Sequence, residues 1–140
     1  LLQQCVRRHA RLVRDRAVSV DVPFTLPLVD ADWTLLDQAV TNLVANAVRH
    51  APAGSRIWVS ARRVDEQWVE VAVTDQGPGV PAELREEVFR PFRRGAGSTS
   101  SGVGLAIVKA VVEAHGGAIS IGDRDGSGTS VRFTLRVHHG

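Results

Sequence analysis

"RIWVSARRVDEQWVEVAVTD", residues 56–75, decides the fold. Residues 56–63 and 68–75 each alternate apolar and polar side chains with a period of two. The intervening "VDEQ" is short enough for a turn, so the two segments are read as an antiparallel hairpin. Ile57, Val59 and Ala61 share one face of the first strand, and Val69, Val71 and Val73 one face of the second. A hairpin at the centre of the chain argues against the strand–helix alternation of a parallel sheet.

Working outward, "GAISIGD" (117–123) and "GTSVRFTLRV" (128–137) read as two further strands joined by the turn "RDGSG". Upstream, "VSVDVPFTLPLV" (18–29) reads as a strand that Pro23 and Pro27 push to a sheet edge. Helices fill the gaps. Leu1 to Arg14 is amphipathic. Trp33 to His50 carries apolar residues at Leu36, Val40, Leu43 and Ala47, with Asp30 and Asp32 as capping residues before it. Residues 81–89 form a short helix with Pro81 near its first turn. Residues 103–115 form a strong helix that Gly116 and Gly117 close, with His115 as a C-terminal cap. The expected architecture is α+β: a two-layer α/β sandwich, with a mixed, mainly antiparallel sheet covered on one face by helices. There are no internal repeats, and 1–140 is read as one domain.

The chain has 140 residues, 44% of them apolar and 23% charged, enough for one core. No apolar run approaches the ~20 residues of a spanning helix. No signal-peptide pattern stands at the start. Cys5 is the single cysteine, so an internal disulfide and a cysteine-based metal site are excluded, in keeping with a reducing compartment. The five histidines lack the spacing of a zinc site. Arg7, Arg8, Arg11, Arg14 and Arg16 crowd the first sixteen residues and read as a solvated helix face. With few aromatics nearby, nucleic acid is not an expected partner.

Three stretches carry chemistry. In "NLVANAVRH" (42–50), Asn42, Asn46, Arg49 and His50 fall on one helical face. Asparagine is a poor residue for a helix interior, so two of them need a reason. An amide oxygen is a neutral, hard ligand suited to Mg²⁺ that also leans on phosphate oxygens, and an arginine on the same face could meet those phosphates. In "VAVTDQGPGV", Asp75 ends a Val-rich strand just before Gly77, Pro78 and Gly79. A carboxylate there could accept a hydrogen bond from an exocyclic amine, and the glycines would let the backbone approach a flat base. In "SSGVGLAIVKA", Gly102 and Gly104 stand at the mouth of a helix, where unpaired N–H groups and the helix dipole favour anions. The Walker pattern fails there, because no Lys-Ser or Lys-Thr follows the glycines. The dinucleotide fingerprint fails too, because Ile107 replaces its third Gly.

Taken in order, "NLVANAVRH", "DQGPGVP", "VFRPFRRG", "GVGLAIVKAVVEAHGG" and "GTSVRFTLRV" resemble the N, G1, F, G2 and G3 boxes of the histidine-kinase ATP-binding domain. That domain has the Bergerat fold, in a superfamily shared with gyrase and MutL. The match runs from about Asp30 to Val137. The resemblance implies ATP and Mg²⁺ as cofactors. It implies that Asn46, assisted by Asn42, holds the Mg²⁺, that Arg49 meets phosphate, and that His50 lies next to the base. It assigns the adenine amino group to Asp75, with Gly77, Gly79 and Val80 shaping the pocket and Thr129 supporting adenine through water. Phe89 and Phe92 would anchor the near end of an ATP lid from Arg93 to Ser101, and Gly102, Val103, Gly104 and Leu105 would close over the phosphates.

Asn42 stands where the gyrase-like relatives have a glutamate that acts as general base on water. An amide takes no proton, so ATP hydrolysis is expected to be slow or absent. The acceptor histidine of the family lies in an upstream helical segment that nothing here resembles. The chain, which contains no Met, is therefore expected to be a fragment lacking the phosphoacceptor dimerisation domain. The resemblance further implies partners: that separate histidine-bearing helical domain and a response regulator, with the full-length protein a homodimer. It implies a cytoplasmic domain of a membrane-anchored bacterial sensor kinase. The segment 18–32 and its spacing to Asn42 resemble potassium-responsive sensors of the Kdp type. Two alternatives stay open: an anti-sigma-factor serine kinase of the same fold, and a non-catalytic module that binds nucleic acid through its basic first helix.

Overall fold

The structure, a computed structural model, describes residues 17–23, 27, 29–50, 52, 54–77, 83, 89, 104–124 and 127–138. Within them lie five strands, β1 (Ala17–Asp21), β2 (Arg56–Arg63), β3 (Trp68–Asp75), β4 (Ile119–Arg124) and β5 (Ser127–Arg136). Two helices accompany them, α1 (Trp33–His50) and α2 (Gly104–Ala114). The strand order is β1-β2-β3-β5-β4. β1 runs parallel to β2, and the other pairs are antiparallel. Parallel neighbours need a long crossover, and α1 provides it.

The hairpin forms in the expected register, with Val59 opposite Val73 and Ala61 opposite Val71. Asp65 builds its turn: the carboxylate Oδ1 accepts the N–H groups of Gln67 at 2.8 Å and Trp68 at 2.9 Å. The sheet's inner face is a row of buried side chains: Ile57, Val59 and Ala61 from β2, Val69, Val71 and Val73 from β3, and Val131, Phe133 and Leu135 from β5. α1 covers that face with Leu36, Ala39, Val40, Leu43, Val44 and Ala47, and α2 adds Val108 and Val112. Each of these larger aliphatic groups contributes about 1.5–3 kcal/mol on burial.

One expected strand is shorter than the sequence implied. Residues 18–29 do not form a continuous strand: β1 ends at Asp21, and Val29 makes an isolated bridge to Val137. Pro23 and Pro27 have no N–H to give a ladder, which is the reason. The placement at the sheet edge holds. The expected helix over 1–14 and the lid over 93–101 lie outside the described residues, and of 81–89 only Glu83 and Phe89 fall within them.

Both helices are capped by residues the sequence singled out. Asp32 Oδ1 accepts the N–H groups of Thr34 at 3.0 Å and Leu35 at 3.2 Å. At the end of α2, Gly116 has φ +76°, with Gly116 N–H on the Glu113 carbonyl and Gly117 N–H on the Val112 carbonyl. This is a Schellman closure. His115 ties the two helix ends together. Its Nδ1 contacts the Val111 carbonyl at 2.8 Å, and its Nε2 accepts the Asp32 N–H at 2.9 Å. Replacing Asp32 by Ala removes the carboxylate cap and is expected to cost about 1 kcal/mol, read as a lower urea midpoint. An unchanged midpoint would show that the cap is dispensable.

Candidate functional site

Period-two alternation has a consequence at the end of β3. Its buried face carries Val69, Val71 and Val73, and the next residue on that face is Asp75. The carboxylate therefore belongs to the helix-covered side of the sheet, and Asp75 is only 3% exposed. Its cross-strand neighbours are Ile57 on β2 and Thr129 on β5, both buried. A buried carboxylate at the end of an apolar row is costly unless it is hydrogen-bonded. Asp75 Oδ1 accepts the Gly77 N–H at 2.7 Å. This Asx turn bends the chain off the sheet directly after the carboxylate.

Three contacts fix which end of α1 reaches Asp75. Asp30 N–H bonds the Arg136 carbonyl, and Val137 N–H bonds the Gln67 carbonyl. The Asp32–His115 bond is the third. Together they gather the start of α1, the start of β3, the end of β5 and the end of α2 at one end of the sandwich. α1 packs on both α2 and β3, so it runs antiparallel to α2 and along β3. Its 18 residues span about 27 Å. The eight residues of β3 span about 26 Å. The later turns of α1 therefore come level with Asp75, beside the first turn of α2.

Asn42 and Asn46 lie on those later turns, half-buried, alternating with the buried Leu43 and Ala47. Arg49 is exposed one turn on, and His50 is the last residue of α1, described for its backbone alone. Gly77 is buried beside Asp75. Gly104 opens α2, and Leu105 packs against the core. Phe89 lies against α2, its ring centre 5.9 Å from the Lys109 ammonium. Gly79, Val80, Phe92, Arg93, Gly102 and Val103 lie outside the described residues.

Three participants escaped the sequence reading. Gly128 precedes Thr129 with φ +72°, and a Cβ there would fall onto the Asp75 carbonyl oxygen. Ile57 flanks the carboxylate on β2. Gln76 Oε1 accepts the Arg56 N–H at 2.7 Å. The register Asp75–Thr129 would have pointed to Gly128, but a glycine in a turn gives no sign of what lies across the ladder.

The arrangement has a chemical logic. The Asp75 carboxylate could accept a hydrogen bond from an exocyclic amine. Asn42 and Asn46 offer neutral oxygens, and the start of α2 offers unpaired N–H groups to an anion. Among the described residues no group of three or more His, Cys, Asp or Glu could hold a metal. Mg²⁺ leans on phosphate oxygens and water, and the asparagine pair fits that donor set.

The family model described as histidine kinase-, DNA gyrase B- and HSP90-like ATPase matches residues 31–139. The chain belongs to that family. This ATP-binding domain is of the sensor histidine kinase type. It is 39% identical over 145 aligned residues to the sensor-like histidine kinase SenX3 of Mycobacterium tuberculosis, covering 98% of this chain and 34% of SenX3. It is 34% identical over 133 residues to the adaptive-response sensory kinase SasA of a Synechococcus strain, covering 92% of this chain and 35% of SasA. The domain thus spans about a third of the length of the curated relatives it matches. Among solved structures, the mycobacterial sensor histidine kinase MprB superposes with a TM-score of 0.87 at 34% identity, over 99% of this chain and 96% of that one. Full-length ShkA in complex with AMPPNP superposes with a TM-score of 0.86 at 28% identity, over 100% of this chain and 31% of that one. The expected α+β sandwich and the expected family both hold.

Proposed function

We propose that this domain binds ATP with Mg²⁺ and presents the γ-phosphate to a histidine on a separate helical domain. The supporting observation is the buried Asp75–Thr129 pair on the inner face of the sheet, at the end where the Asn42–Asn46 turns of α1 meet the start of α2. Asp75 accepts the adenine amino group, Thr129 and Ile57 border the base, and Arg49 meets phosphate. Asn46 and Asn42 hold Mg²⁺, which neutralises charge on the phosphates. In the transfer, the bond from the γ-phosphorus to the bridging oxygen breaks, a bond to the acceptor imidazole nitrogen forms, and ADP leaves. The contribution of these residues is positioning and charge neutralisation. Asn42 takes no proton, so water is not activated in place of the histidine.

The wider reading follows the same relatives. The phosphoryl group passes on to a response regulator, the complete protein is a homodimer through its histidine-bearing helices, and this domain works on the cytoplasmic side of a membrane-anchored sensor. Among the described residues no helix is long and apolar enough to cross a membrane. The Kdp-type resemblance rests on residues 18–32 and their spacing to Asn42.

Calorimetric titration with a non-hydrolysable ATP analogue and Mg²⁺ tests the binding. Micromolar-range affinity is expected, about −7 to −8 kcal/mol. Asn46→Ala is expected to weaken it about tenfold, about 1.4 kcal/mol. With EDTA present, wild type and variant should converge. A variant that keeps the full Mg²⁺ dependence would remove Asn46 from the metal site.

A further inference from the structure

At the end of the hairpin, the ladder pairs Ile57 with Asp75, and one further pair would set Arg56 opposite Gln76. The chain does not continue that far. The Asx turn of Asp75 onto Gly77 takes it off the sheet. The Arg56 N–H is taken instead by the side-chain oxygen of Gln76, at 2.7 Å. A side chain thus completes the ladder that the turn leaves unfinished. The donor residue is itself held, because Arg56 Nη1 donates to Ser19 Oγ on β1 at 2.7 Å. Two short hydrogen bonds therefore hold the turn that follows Asp75: the Gly77 N–H on its carboxylate, and Gln76 Oε1 on the Arg56 N–H of β2.

Resting on the reading of Asp75 as the purine-binding carboxylate, we propose that Gln76 is a positioning residue for base recognition. Its side-chain oxygen holds the turn against β2 and so fixes the direction in which the Asp75 carboxylate meets the exocyclic amine. Gln76 itself is exposed, so its removal leaves no cavity in the core. Misdirecting the carboxylate harms a ligand that donates to it and spares one that does not. Adenine presents an amino donor where guanine presents a carbonyl acceptor, so the preference between the two bases reports the carboxylate's aim.

The test is calorimetric titration of wild type, Gln76→Ala and Gln76→Glu with Mg²⁺ and non-hydrolysable analogues of ATP and GTP, alongside thermal melts. Gln76→Ala is expected to weaken the ATP analogue about three- to tenfold, the worth of one hydrogen bond. The GTP analogue should stay within about twofold of wild type, so the adenine preference narrows while the melting temperature barely moves. Gln76→Glu retains an acceptor oxygen at the same reach and is expected to restore the ATP analogue. An alanine variant that holds the wild-type preference overturns the proposal. So does one that loses both nucleotides equally as its melting temperature falls. In either case wild-type binding and its dependence on Asp75 still stand. If the wild type binds neither analogue, the purine reading itself fails and the proposal fails with it.

Discussion

Asp75→Asn is expected to weaken binding of the Mg²⁺–ATP analogue at least about a hundredfold while the domain stays folded. The side chain is buried, and its Oδ1 already serves the Gly77 N–H. An asparagine would keep its carbonyl oxygen on that bond and turn its NH₂ towards the base. Two donors, the asparagine amide and the adenine amine, would then face each other at a buried position. Leaving buried donors unpaired costs about 1–3 kcal/mol, more where a charged acceptor is lost. A hundredfold in affinity is about 2.7 kcal/mol. The amide of the variant keeps the oxygen that the Gly77 N–H bonds, so the melting temperature is expected to change little. Calorimetry on the variant reads the first effect and a thermal melt the second. Binding that survives the substitution would mean that the carboxylate does not hold the base.

Gly128→Ala should cause the largest loss of stability, about 2–4 kcal/mol, and should weaken nucleotide binding as well. The backbone there is left-handed, at φ +72°, which an alanine adopts only at a cost of about 1 kcal/mol. The new Cβ would also meet the Asp75 carbonyl oxygen and the start of Gln76. Main-chain atoms cannot swing aside, so β5 must separate from β3 where the carboxylate is aimed. Gly54 is the matched control. Its φ is +79°, but nothing lies within 4 Å of a Cβ there, so Gly54→Ala should cost only the backbone share, about 1 kcal/mol. Urea denaturation compares the two. Equal midpoints would show that the close approach to Asp75 carries no strain.

Most of this layout was legible in the sequence because one face of each element is covered. Leu36, Val40, Leu43 and Ala47 announce α1 by their spacing, and the valines of 69, 71 and 73 announce the inner face of β3. Covered faces demand apolar residues at a fixed period, and a period can be read. The two asparagines stood out for the opposite reason, since nothing in helix packing asks for them. What stayed hidden depends on cross-strand register. Gly128 looks like any turn glycine until Thr129 is seen opposite Asp75. Gln76 looks like loop filling until its amide is seen on Arg56. The extent of β1 was overestimated because its Val-rich start reads as strand, while the effect of Pro23 is on hydrogen bonds that belong to a neighbour. His115 was legible as a cap on its own helix, but its bond to Asp32 joins residues too far apart in the chain for any local pattern.

The central claim is that α1 and the end of β3 form two walls of one nucleotide cleft. NMR of the labelled domain, titrated with a non-hydrolysable ATP analogue and Mn²⁺ in place of Mg²⁺, tests it most directly. Paramagnetic broadening is expected at the side-chain amides of Asn42 and Asn46. With Mg²⁺, the backbone amides of Asp75, Gly77 and Thr129 are expected to shift at the same nucleotide concentrations. Broadening confined to another surface, or shifts that leave Asp75 and Thr129 untouched while nucleotide binds, would contradict it.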